Sequence, residues 1–76
     1  MSITIYSTST CPYCKMAKEL LKGLNVPFQE INVGLDHEKA EEMIQKSGQT
    51  GVPVLDINGQ IIVGFRPDEI KKALGK

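Results

Sequence analysis

The alternation of apolar and polar positions changes period several times along the 76-residue chain. Ile3 and Ile5 alternate with polar neighbours and Tyr6 closes the run, so residues 1–7 read as a strand. The period then lengthens. Ala17, Leu20, Leu21 and Leu24 recur at helical spacing, the stripe of an amphipathic helix that opens at Pro12. Gly23 or Asn25 can take a positive φ at its end, and Pro27 bars continuation. Residues 28–33 return to the alternation of a strand. Residues 36–47 form a second helix, with Ala40, Met43 and Ile44 on its buried side and Gly48 just past its end. Two β-rich runs follow, Val54-Leu55-Asp56-Ile57 and Gln60-Ile61-Ile62-Val63, separated by Asn58-Gly59. Both residues of that turn must accept φ > 0, which makes Asn-Gly the strongest short hairpin signal. Pro67 opens a third helix with Ile70, Ala73 and Leu74 on one side.

The order β-α-β-α-β-β-α defines an α/β chain. Its first strand, helix and strand make a right-handed crossover with parallel strands, and its last two strands are antiparallel neighbours. The charges agree with the helix dipoles. Asp36, Glu38, Glu41 and Glu42 crowd the first half of the second helix, and Lys46 sits in its last turn. Asp68 and Glu69 start the third helix, followed by Lys71, Lys72 and Lys76. The acidic run reads as a solvated face. With 41% hydrophobic and 24% charged residues the chain has the mix of a soluble globular domain, so 1–76 is expected to be one domain. Nine basic residues balance nine acidic ones, and no global field draws in nucleic acid or an anionic membrane. No linker, repeat or low-complexity tract interrupts it. The N-terminus carries no basic region followed by an apolar run, and no stretch approaches ~18 apolar residues, so a cytosolic protein is expected.

The chemistry concentrates in Thr10-Cys11-Pro12-Tyr13-Cys14-Lys15, which holds both cysteines. The pair lies where a strand hands over to a helix. Pro12 suits the first helical position, because the N–H it lacks has no partner there. Cys11 is then the N-cap, facing free backbone N–H groups and the positive end of the dipole, and both favour its thiolate. Cys14 follows one turn on, on the same face, within reach of a disulfide. Cys11 is the expected nucleophile and Cys14 the resolving thiol. A structural disulfide is a poor alternative, since closing so short a loop contributes only roughly 2 kcal/mol. A closed zinc site needs four ligands, and the chain offers Cys11, Cys14 and His37. His37, among acids at the start of a helix, reads as solvated. Tyr13 is expected to flank an incoming disulfide, while Met16 and Met43 read as core or gap-filling residues. Pro53 at the start of a strand calls for an edge position or a cis Val52–Pro53 bond.

Cys-Pro-Tyr-Cys, the element order and Val52-Pro53 together resemble a glutaredoxin, a branch of the thioredoxin-like fold, over nearly the whole chain. The resemblance implies a four-stranded mixed sheet with the first and third helices on one face and the second on the other. It also implies catalytic Cys11 and Cys14, a cis Pro53, and a backbone contact from Val52 to the cysteine portion of a substrate. Pro12, Tyr13, Gly51, Val52, Pro53, Gly64 and Phe65 are the residues it assigns to substrate or glutathione binding. No bound cofactor or metal is required for exchange. Glutathione is a candidate co-substrate, the partners are disulfide-containing proteins or small disulfides with glutathione or a flavoprotein reductase as donor, and a monomer is expected.

Three departures from the family pattern bear on the donor. Thr8 stands where many glutaredoxins carry a Lys or Arg, their Thr-Val-Pro becomes Gly51-Val52-Pro53, and the segment that holds the glutamyl end of glutathione becomes Val63-Gly64-Phe65-Arg66-Pro67. Gly64-Phe65-Arg66-Pro67-Asp68 is instead similar to NrdH-type redoxins, which serve ribonucleotide reductase and are usually reduced by thioredoxin reductase. Gln49 is neutral and Pro67 lacks an N–H, whereas Lys15, Lys46 and Arg66 are the candidate cations. Weak glutathione-dependent activity is the expectation. A rival of another class is an iron–sulfur carrier, with Cys11 of two chains and two external thiols such as glutathione holding a [2Fe–2S] cluster.

Overall fold

The computed structural model describes residues 2–75. The elements follow the expected order: β1 (Ile3–Ser7), α1 (Pro12–Gly23), β2 (Gln29–Asn32), α2 (His37–Ser47), β3 (Val54–Ile57), β4 (Gln60–Val63) and α3 (Pro67–Ala73). Met1, assigned to the first strand, and Lys76, assigned to the last basic cluster, lie outside the described residues. The four strands form one sheet in the order β2-β1-β3-β4. β1 runs parallel to β2 and antiparallel to β3, and β3 runs antiparallel to β4. This is the thioredoxin-like α/β arrangement, and β1 lies at its centre. Ile3, Ile5, Tyr6 and Ser7 of that strand are all buried.

Alternation along the strands divides the core into two layers. Ile3, Ile5, Leu55, Ile57 and Ile62 pack on one face with Ala17 and Leu21 of α1 and with Ile70 and Leu74 at α3. Tyr6 and Val54 pack on the other with Met43 of α2. The expected placement of α1 and α3 on one side and α2 on the other therefore holds. Ile44, expected on the buried side of α2, is exposed, and Ala40 is only half-buried. The second layer is small, and Met43 alone fills the position that α2 contributes to it.

Local chemistry sets the element ends. Asn25 takes the positive φ after α1, not Gly23. Asp36 caps α2, its carboxylate accepting from the Lys39 N–H at 3.2 Å, and Gly48 ends the helix at φ 74°. Asn58 and Gly59 have φ of 53° and 92°, so the tight turn of the β3–β4 hairpin forms as the dipeptide dictates. On the α2 face, the buried Tyr6 hydroxyl donates to Glu42 at 2.5 Å and accepts from Lys46 Nζ at 2.9 Å. Lys46 also donates to Asp56 at 3.0 Å. These bonds push the Lys46 ammonium well above the usual lysine range. Lys46 is thus committed to the fold, which corrects its reading as a cation available to a ligand.

Candidate active site

The end of β1 delivers the chain through Thr8-Ser9-Thr10 to the start of α1, where Cys11 is the N-cap with extended backbone and Pro12 takes the first helical position. Cys11 is half-buried and Cys14, one turn further, is fully buried against the sheet. Across the sheet end, the loop before β3 brings Val52 to the same place. Its carbonyl accepts from the Cys11 thiol at 3.8 Å, and the Val52–Pro53 peptide is cis, as the resemblance implied. Gly64, at φ 86°, donates its N–H to the Pro53 carbonyl at 2.8 Å and ties the segment after β4 to the proline loop.

The two sulfurs sit in different electrostatic surroundings. Partial burial pushes the Cys11 thiol up, but hydrogen bonds from the Cys14 thiol and from the Cys14 and Tyr13 backbone N–H groups outweigh it. The Cys11 thiolate is therefore favoured below the ordinary cysteine value. Burial pushes Cys14 the other way, to about 11, and the neighbouring Cys11 sulfur adds to the rise. A backbone bond from Thr8 and the charge of Lys18 offset part of it. One sulfur is set to favour its thiolate and the other to hold its proton.

A cleft of about 400 Å³ opens between Tyr13, the Val52–Pro53 loop and the segment after β4, lined by Tyr13, Val52, Pro53, Val63, Gly64, Phe65 and Arg66. Cys11 is not among its lining residues, and its sulfur approaches the cleft through the Val52 carbonyl. The structure thus brings Tyr13, Val52, Pro53, Gly64 and Phe65 together. Pro12 and Gly51 lie outside the lining. Pro12 shapes the helix start, and Gly51 is held by the Gln49 side chain in the preceding turn. Tyr13 is 58% exposed, as a residue flanking a substrate should be. Met16 is exposed as well, contrary to the core role expected of it, because the α1 stripe that faces the sheet runs through Cys14, Ala17 and Leu21. Arg66 is the one cation among the lining residues, its Nε donating to the Val63 carbonyl at 3.0 Å. His37 is exposed and lies 3.1 Å from Glu41 within α2. Val63 joins the cleft without a signal in the sequence beyond its place at the end of a strand.

The glutaredoxin family model matches residues 3–62, the stretch that carries both sulfurs and the proline loop. The chain belongs to the glutaredoxin family. It is 53% identical over 97% of its length to an uncharacterized glutaredoxin-like 8.6 kDa protein of the rubredoxin operon of Clostridium pasteurianum, of which it covers 99%. It is 46% identical over 83% of its length to glutaredoxin 3 of Escherichia coli, of which it covers 76%. Among solved structures, the glutaredoxin-like NrdH-redoxin of Escherichia coli superposes with a TM-score of 0.86 at 33% identity, over 95% of this chain and 93% of that one. This glutaredoxin-family chain is accordingly a thiol-disulfide oxidoreductase of the glutaredoxin and NrdH type. Among the described residues no helix is long and apolar enough to cross a membrane.

Proposed function

We propose that the chain is a dithiol electron carrier that works through an intramolecular Cys11–Cys14 disulfide. The observation that carries the reading is the unequal setting of two sulfurs one turn apart: a half-buried thiolate-favouring Cys11 at the helix start, and a buried Cys14 that keeps its proton. The Cys11 thiolate attacks one sulfur of a substrate disulfide, and the other sulfur leaves as a thiolate that takes up a proton. Cys14 then loses its proton and attacks Cys11, releasing the second substrate thiol and leaving the Cys11–Cys14 bridge. Two electrons pass to the substrate, and a donor returns them. The electrons reside in the sulfurs, so no bound cofactor is needed.

The donor in this proposal is a flavoprotein reductase of the thioredoxin reductase type, with glutathione a weak alternative. Glutathione is anionic, and its carboxylates need cations or free N–H groups near the cysteines. Lys46 is engaged with Tyr6 and Asp56, Thr8 replaces the usual base, and Arg66 is the lone cation in the cleft lining. Losing one or two charge-assisted bonds, at roughly 1.5–3 kcal/mol each, weakens binding by about tenfold or more. The segment from Gly64 to Asp68 favours an NrdH-type role as donor to ribonucleotide reductase as the second reading. The test couples NADPH oxidation to disulfide reduction through glutathione and glutathione reductase in one assay, and through thioredoxin reductase in the other. Turnover in the second and little in the first is expected. Brisk turnover in the first and none in the second rejects the proposed donor. Anaerobically purified protein is expected to be colourless, and a brown protein would favour a bound iron–sulfur cluster instead.

A further inference from the structure

The loop before the cis-proline contains a side-chain clamp that exchange between the two cysteines leaves unexplained. The Gln49 carboxamide folds back on Gly51, two residues on: its Oε1 accepts from the Gly51 N–H at 2.5 Å and its Nε2 donates to the Gly51 carbonyl at 3.0 Å. The same Nε2 donates to Ser47 Oγ at 3.3 Å, and Ser47 donates to the Met43 and Gln49 carbonyls, so the clamp is anchored in the last turn of α2. Both backbone groups of Gly51 are satisfied by one side chain. The space is also claimed, since a Cβ at residue 51 would lie 2.8 Å from Gln49 Oε1.

The Gly51 carbonyl shares its peptide plane with the Val52 N–H, and that bond is trans, so a carbonyl turned towards Gln49 turns the Val52 N–H away from it. Among the described residues the Val52 N–H has no hydrogen-bond acceptor, while the Val52 carbonyl faces the Cys11 sulfur. We infer that Gln49 is a positioning residue that fixes the Gly51–Val52 peptide plane and so aims the Val52 N–H, and that the loop thereby favours substrates carrying a peptide backbone at the attacked sulfur. Gly51 is the other half of the device, because a Cβ there would crowd the carboxamide and force it to shift. The inference rests on the reading of Cys11 as the attacking sulfur.

The experiment measures the second-order rate of the fully reduced chain with two probes. One is a cystine-containing peptide disulfide, and the other is hydroxyethyl disulfide, which has no peptide groups. Gln49→Ala should slow the peptide reaction about tenfold, the weight of one well-placed hydrogen bond, and leave the hydroxyethyl disulfide reaction within about twofold. Gly51→Ala crowds the same carboxamide and should slow the peptide reaction by a like factor, and it supplies the test if Gln49→Ala does not fold. The double variant should be no slower than Gln49→Ala alone, since both changes remove one interaction. Equal slowing of both probes, no slowing of either, or additive effects in the double variant would each overturn the clamp. Wild-type protein that reduces neither probe, or forms its mixed disulfide on Cys14, would instead strike the reading of Cys11.

Discussion

Cys11 and Cys14 share a helical turn but not an environment, and their chemistry divides accordingly. Iodoacetamide at mildly acidic to neutral pH should label Cys11 first, with Cys14 protected by burial and by its raised pKa of about 11; mass spectrometry of peptides from a timed quench decides the order. Labelling of Cys14 before Cys11 would reverse the roles. Cys11→Ser should abolish exchange, whereas Cys14→Ser should accumulate mixed disulfides that a non-reducing gel resolves. The two shifts also act on stability, with opposite signs. Folding raises the Cys14 value, so its contribution to the reduced chain is full below the unfolded thiol value and is lost as pH rises towards about 11. Folding lowers the Cys11 value, so its contribution is present above the unfolded value and is lost as pH falls through the folded one. Urea midpoints of reduced Cys14→Ser and wild-type protein, compared from pH 7 to 10, should converge as the wild-type chain loses the Cys14 contribution.

The elements owe their ends to single residues whose removal is measurable. Asp36→Ala deletes the cap on the Lys39 N–H and should cost about 1 kcal/mol in urea denaturation. Gly59→Ala, at φ 92°, should cost about as much by straining the hairpin turn. A loss below about 0.3 kcal/mol in either would show that packing rather than these termini holds the elements in place. Features of this kind were legible beforehand, because Pro12, Gly48, Asn58-Gly59 and Pro67 each restrict φ or supply a local bond wherever they occur. Cys11 and Cys14 were legible for the same reason, through their spacing at a helix start. Helical periodicity could not separate the core from the rim: Met16 and Ile44 fall near apolar stripes, yet the buried positions are Cys14, Ala17 and Leu21 on α1 and Met43 on α2. The structural role of Lys46 is not legible in the sequence, because its partners Tyr6 and Asp56 lie on β1 and β3, away from it along the chain. The Gln49 clamp was invisible, since an amide reaching back to its own backbone has no repeating pattern, and the departure at Gly51 was its single trace.

At the scale of the molecule, the sheet separates two tasks. The α1 and α3 face carries the larger core, and the α2 face carries the bonded set Tyr6, Glu42, Lys46 and Asp56. Tyr6→Phe removes a buried hydroxyl that serves two partners, and should cost about 1–3 kcal/mol while leaving the rate of Cys11 alkylation unchanged. A parallel loss of thiol reactivity would show that the two faces are coupled. The sheet order leaves β2 and β4 at the margins, and each is four residues long. So short an unpaired backbone offers a neighbouring copy few rungs to grip, and on β2 the first two residues, Gln29 and Glu30, are exposed, with Glu30 held by Lys18. Strand-to-strand accretion is thereby discouraged on the β2 side, and light scattering from concentrated reduced protein should stay at the level of a dispersed solute. The margins of the sheet thus act as a colloidal safeguard for a protein whose working sulfur must remain open to collisions.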